Sequence, residues 1–423
     1  MVKNKFIYIP PPDKSISQRA LIMAYLAEGK SEIKNISDCD DTKNLISCLK
    51  TLKTKIKRVK NKIIIKPPLS KEKNKSIKLN CRESATSMRL LAGALCGLKY
   101  KKIVLKAQKT LKRRNMKELV FYLKKMGADI KSQKGFFPPL KIYPADLQAA
   151  EIKQKEPSAQ IKSAVLLASL SAKGETLFKE ISRTRDHTEK LLRKFKAPLV
   201  YKKGYWKVKY KKLKAAKIEV PGDFSCAAYF LLACVLTKNS AIEIGNVCLN
   251  PLRLGFIQIL KKMGADIKIK ILRRDFELKG NIYAKYSKLK GVKISKKELI
   301  NSIDEMPLIA AAAVFADGKT QIPLVKSLKN KESDRIASSL KLAKYLGAKA
   351  YIKKNILNIY GSNFIKGGFR GDFCPDHRII MSAACIEHLC DKKIGIKNKK
   401  IAEKSYKNFF KDLSIFKKYL KKI

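Results

Sequence analysis

One pattern recurs about every 70 residues along this chain, and it restricts the fold more than any single motif does. Each copy places a capping residue before a helix of small apolar side chains, then a Gly or polar turn, then a strand. The copies start near Asp13 (DKSISQRALIMAYLAEGKSEI), Ser84 (SATSMRLLAGALCG), Ser158 (SAQIKSAVLLASLSAKGETLF), Asp223 (DFSCAAYFLLACVLTKNSAIEI), Asp304 (DEMPLIAAAAVFADGKTQI) and Asp376 (DHRIIMSAACIEH). An amphipathic helix follows in most copies. Two of these, KELVFYLKKMGADIK at 117–131 and LGFIQILKKMGADIK at 254–268, nearly coincide. Apolar residues at i, i+3, i+4 and i+7 give such helices one buried face, whereas the first helix of each copy is apolar nearly all round and belongs at the centre.

The first and fourth copies share an entry, PPDKS at 11–15 and PGDFS at 221–225. That divides the six copies into two sets of three. The expected architecture is α/β, built of α+β repeats, in two similar domains: 13–221, and 1–12 with 222–423. The chain crosses between them near residues 12 and 222. A solenoid is the alternative for repeats of this length, but it has no need of a special entry at copies one and four.

The chain has 423 residues, 45% of them hydrophobic, enough for two domain-sized cores. Its net charge of +59 comes from 94 Lys+Arg against 35 Asp+Glu, yet only 15 of the cations are arginines. The lysines are spread along the chain, whereas nucleic-acid readers concentrate Arg and aromatic residues. The expectation is a solvated lysine surface with no specific nucleic-acid partner; a basic nucleic-acid-binding protein is the alternative from another class. No run reaches the ~18 apolar residues of a membrane span, and prolines precede any apolar leader segment, so a cytoplasmic protein with no membrane partner is expected. The ten cysteines form no CxxC pair and the three histidines no zinc spacing. They read as core thiols, and no metal is expected.

The helix starts point to a ligand class. A helix N-terminus presents unpaired N–H groups and the positive end of a dipole, so it attracts anions. One Ser or Asp there is an ordinary cap. Six in register, with Lys14, Arg185 and Arg378 nearby, read as an anion site where the starts of both domains face a common cleft.

The segments around these helices resemble the EPSP synthases of the enolpyruvyl transferase family. PPDKSISQRA (11–20) resembles their N-terminal signature, RESATSMRLL (82–91) their phosphoenolpyruvate loop and LKRRNMKEL (111–119) their Arg-rich segment. PSAQIKSAVLL (157–167) and RTRDHTEKLL (183–192) resemble the segments that hold 3-phosphoshikimate. NKESDRI (330–336), PDHRIIMSA (375–383) and AEKSYKNFF (402–410) resemble the C-terminal motifs. The order is the family's, over nearly the whole chain.

The resemblance implies two domains of three βαβαββ units each, closing over an active site in the interdomain cleft. It implies transfer of the enolpyruvyl group of phosphoenolpyruvate to the 5-hydroxyl of 3-phosphoshikimate by a monomer that uses no cofactor. Asp304 and Glu332 match the catalytic carboxylates, at the hydroxyl and at the methylene carbon. Lys14, Ser15, Arg19, Ser158, Ala159, Gln160, Ser182, Arg185, Asp304 and Lys331 match contacts to 3-phosphoshikimate. Lys14, Ala85, Arg114, Gln160, Arg335, Arg378 and Lys404 match contacts to phosphoenolpyruvate. Read from the residues alone, Asp304 is a helix cap and Glu332 a solvated charge, and His377 is either a packed core histidine or a catalytic one.

Pro12 stands where the family usually has Gly, Gln18 where it has His or Asn, and Asn115 and Lys407 where it has Pro. Ala85 replaces a frequent Gly beside phosphoenolpyruvate; by resemblance its methyl crowds glyphosate, which is slightly longer than the substrate. The sister family that acts on UDP-N-acetylglucosamine carries a reactive Cys in the loop at 111–117 and a Lys-Asn pair near the start. This chain has no Cys in that loop and reads Lys14-Ser15.

Overall fold

The computed structural model describes residues 5–68 and 75–423. The chain divides into two compact units, 12–220 and 1–11 with 221–423.

In the unit 12–220, three sheets share one plan. Strand Ser76–Asn80 runs parallel to Lys102–Lys106, which pairs antiparallel with Phe137–Tyr143, itself antiparallel to Asp129–Gln133. The third copy repeats this with Glu151–Lys153, Glu175–Lys179, Tyr205–Lys209 and Leu199–Lys202. The described strand ahead of the first copy's central helix, Phe6–Tyr8, belongs to the other unit. Lys217–Glu219, from the far end of the unit 12–220, takes that place beside Ser31–Lys34. The other unit does the same: Phe6–Tyr8 lies parallel to Ala241–Cys248, whose other edge pairs with Leu278–Lys285. In each unit this added strand forms one edge of its sheet, and the chain passes between the units twice.

Six helices carry the cores: Lys14–Leu26, Ala85–Leu95 and Ala159–Ser169 in one unit, and Phe224–Leu236, Met306–Val314 and His377–Ile386 in the other. Every residue of Met306–Val314 is buried. Small residues let these helices approach closely: a Cβ placed on Gly93 would lie 2.1 Å from the Ala164 carbonyl oxygen of the neighbouring helix. Each fully buried Leu, Ile or Phe contributes about 1.5–3 kcal/mol.

The repeated KKMGAD segment is a helix stop. Gly127 and Gly264 have φ of +87° and +100°. Behind them the Ala128 N–H donates to the Leu123 carbonyl at 3.1 Å, and the Ala265 N–H to that of Leu260 at 2.9 Å. Glycine reaches this left-handed backbone without strain and closes the last turn.

The sixth copy departs from the expected βαβαββ pattern. After His377–Ile386 it keeps one isolated parallel bridge, Arg370 with Gly395, and ends in helix Phe409–Leu420, with no hairpin among the described residues. The fifth copy keeps only isolated bridges, Lys290 to Asp317 and Lys293 to Gln321, where the first strand would lie. All ten cysteines are free thiols and eight are buried. No helix among the described residues is long and apolar enough to cross a membrane.

His388 makes stability pH-dependent. Its Nε2 lies 2.8 Å from Thr237 Oγ1, and burial, aided by nearby Lys417, lowers its pKa to about 4. An unfolded chain titrates this ring near 6.5. Above that pH the ring is neutral in both states and costs nothing. As pH falls from 6.5 to 4, only the unfolded chain takes up the proton, and about 2–3 kcal/mol of stability is lost. Denaturant titrations of the parent and His388→Gln at pH 7 and 4.5 should show the smaller acid loss in the variant; equal losses would exclude this role.

Candidate active site

In the unit 12–220, the expected site residues sit at helix starts and the loops before them. Asp13, Ser84 and Ser158 cap their helices, accepting from the N–H groups of Ile16 (2.8 Å), Ser87 (3.3 Å) and Ile161 (3.4 Å). Lys14 projects from the first turn and pairs with Asp41 at 3.0 Å, on the amphipathic helix of the same copy. Arg19 is 2% exposed. Its guanidinium donates to Thr188 Oγ1 (2.8 Å), the Ser15 carbonyl (2.9 Å) and Ser163 Oγ (3.1 Å), tying the first copy to the third. Gln160 Nε2 donates to Thr86 Oγ1 at 2.8 Å while its Oε1 accepts from Arg89. Ala85 is the first residue of helix Ala85–Leu95 and is buried. Ser182 and Arg185 lie half-buried in the loop between strand Glu175–Lys179 and helix His187–Lys194.

Two departures from the family pattern are absorbed locally. Gln18 Nε2 donates to Ser84 Oγ (3.0 Å) and Ser87 Oγ (2.9 Å), so it braces the cap of the next copy's helix. Asn115 Oδ1 accepts from the Lys117 N–H and its Nδ2 donates to the Gly135 carbonyl, both at 2.7 Å. This turn orders the backbone after buried Arg114 without a proline. Lys407 is exposed, and nothing around it accounts for the change.

In the unit that includes 221–423, five expected residues converge. Arg335 is 1% exposed. It donates through Nη2 to Glu332 (2.8 Å), through Nε to Asp376 (2.9 Å) and through Nη1 to Asp304 (3.2 Å). Glu332 also faces Lys404 at 3.7 Å, and Asp304 faces Arg378 at 3.7 Å. Burial opposes the charges on Arg335 and Arg378. For Arg335 the carboxylates of Asp376, Glu332 and Asp304 outweigh it; for Arg378 those of Asp304 and Glu305 do, so both guanidinium groups stay above their usual range. Lys331 lies in the same bend as Glu332. His377 is buried, its Nδ1 3.9 Å from Asp376 Oδ1.

The structure corrects two readings made from the residues alone. Asp304 is not a cap: the fifth helix begins at Met306, Glu305 occupies the cap position, and Asp304 turns to the two arginines. Glu332 is not a solvated charge, since its side chain is 11% exposed and engaged by two cations. Sequence reasoning missed Asp376 as the carboxylate that orients Arg335, although PDHR contained it, and Asp41 as the partner of Lys14. It also missed Glu305, whose carboxylate accepts from Ser225 and lies 4.0 Å from Arg378.

A family model described as EPSP synthase (3-phosphoshikimate 1-carboxyvinyltransferase) matches residues 6–413. A 3-phosphoshikimate 1-carboxyvinyltransferase of Caldicellulosiruptor bescii is 38% identical over 411 residues, covering 95% of this chain and 94% of that relative. One from Petrotoga mobilis is 38% identical over 408 residues, covering 94% of each. An EPSP synthase structure from Acinetobacter baumannii, 29% identical, superposes with a TM-score of 0.81 over 97% of this chain and 95% of that one.

Proposed function

Because the chain belongs to the EPSP synthase (3-phosphoshikimate 1-carboxyvinyltransferase) family, we propose that it transfers the enolpyruvyl group of phosphoenolpyruvate to the 5-hydroxyl of 3-phosphoshikimate, releasing phosphate. The observation that supports this most is the cluster in which Asp304 and Glu332 are held against Arg335, Arg378 and Lys404. Addition of a hydroxyl to an enol needs a base for the hydroxyl and an acid for the methylene carbon; elimination then takes a proton from the new methyl group as phosphate departs. Asp304 serves the hydroxyl and Glu332 the methylene. Two carboxyls in unlike surroundings can divide such roles.

Both substrates carry a phosphate and a carboxylate. Arg114, Arg335 and Arg378 offer planar forks to those groups, and Lys14 and Lys404 supply point charges. Ser158, Ala159 and Gln160 at a helix start, with Ser182 and Arg185, take the 3-phosphate. Ser15, Arg19 and Lys331 complete the hold on 3-phosphoshikimate; Arg19, being internally bonded, acts mainly by fixing Ser15. Phosphate release from phosphoenolpyruvate that requires 3-phosphoshikimate tests the function. Release with UDP-N-acetylglucosamine instead would transfer the assignment to the sister family.

Ala85 adds a prediction about inhibition. Its methyl is pinned by the capped first turn of its helix. One methyl in a packed pocket is worth about 1–3 kcal/mol. Ala85→Gly is therefore expected to bind glyphosate about 10-fold more tightly than the parent at matched phosphoenolpyruvate. Equal inhibition of the two proteins would place the methyl outside the pocket.

A further inference from the structure

We propose that the ion triad Lys162–Glu180–Glu189 is a positioning device for the phosphate of 3-phosphoshikimate: it holds the loop 180–186 to the start of helix Ala159–Ser169, so that Ser182 and Arg185 are set against Ser158 and Gln160 around one anion. This rests on the assignment of those four residues to that substrate.

Lys162 is fully buried and sits one turn below Ser158, its N–H donating to the Ser158 carbonyl at 3.1 Å. Its ammonium lies 2.9 Å from Glu180 Oε1 and 2.6 Å from Glu189 Oε1, and donates to the Thr184 carbonyl at 3.2 Å. Glu180 in turn accepts from the Thr184 N–H (2.9 Å), the Thr184 hydroxyl (2.5 Å) and Trp206 Nε1 (3.3 Å). Arg183 is 3.7 Å from Glu180, and its guanidinium lies over the rings of Tyr201 (4.8 Å) and Trp206 (5.3 Å). One buried ammonium thus reaches the beginning of the loop, its middle and the helix that follows it.

Stability alone does not call for this arrangement. Buried ion pairs are often no more stable than well-packed apolar side chains of equal volume, because desolvation offsets the attraction. Burial also raises the Glu189 carboxyl above its ordinary range. What the triad supplies is fixed geometry between a helix start and a loop, and two groups that must meet one phosphate need that geometry. Three further hydrogen bonds to the Glu180 carboxylate make the geometry over-determined.

Trp206 is the single tryptophan of the chain and is bonded to Glu180, so it reports on this loop. The experiment is titration of 3-phosphoshikimate into the full-length protein, followed by Trp206 emission and by calorimetry, with steady-state kinetics on the same samples. Arg185→Met should weaken binding; parent-like binding would overturn the site assignment itself. Glu180→Gln keeps the shape and leaves Lys162 paired with Glu189. It is expected to raise Kd for 3-phosphoshikimate about 10-fold or more, to blunt the emission change, and to alter KM for that substrate more than kcat. If Arg185→Met is impaired and Glu180→Gln binds within about twofold of the parent, the triad is structural only and the inference fails. Glu189→Gln probes the other arm with the same two outcomes, should Glu180→Gln not fold.

Discussion

Replacement of Glu332 by Gln is expected to lower kcat by at least about 100-fold, the usual contribution of a general acid–base group. The amide has the shape of the carboxyl and can still accept from Arg335 Nη2, which lies 2.8 Å away. Arg335 keeps Asp376 and Asp304 as partners, so the fold should survive. What disappears is the carboxyl proposed to pass a proton to the methylene carbon and take one back. The measurement is kcat for phosphate release at saturating substrates, with a thermal melt of the same sample as a control for folding. A kcat within about 10-fold of the parent in a folded variant would remove Glu332 from the proposed proton transfer.

Arg335→Met should cost about 3–5 kcal/mol of stability, the range for stripping one partner from a buried ion cluster. Three carboxylates converge on this guanidinium, and the Asp376 side chain is fully buried. Without the cation Asp304 keeps Arg378 and Glu332 keeps Lys404 as partners, but buried Asp376 loses the guanidinium that lies 2.9 Å away. Urea titrations of the parent and the variant at pH 7 measure the deficit. A deficit below about 1 kcal/mol at pH 7 would mean that the carboxylates find other partners or that water enters the cluster.

These two side chains also mark where sequence reasoning reached and where it stopped. Glu332 and Asp304 stand out as candidate catalytic groups only through family resemblance; their local sequence favours a solvated charge and a cap. The cap reading of Asp304 followed from its likeness to Asp13, Asp223 and Asp376, each of which does accept an N–H at the start of its helix. The fifth helix differs because Pro307 stands in its first turn. Proline suits that position, where no N–H bond is needed, and the helix starts at Met306 with Asp304 left outside it. Lys162 was invisible for another reason: in a chain so rich in lysine, one more inside an apolar run carries no signal until its burial is known.

The sequence by itself determined what depends on near neighbours. Periods of three and four set the helices, glycines at 127 and 264 stop two of them in the same way, and the shared entries at 11–15 and 221–225 divide the six copies into two sets of three. Only the tertiary structure decided which charges meet. Asp304 and Arg335 are 31 residues apart, and Arg335 and Asp376 are 41 apart. No local period links them. The strength of such a pair depends on separation and on how far water is excluded, and both arise only when the helices of different copies pack together.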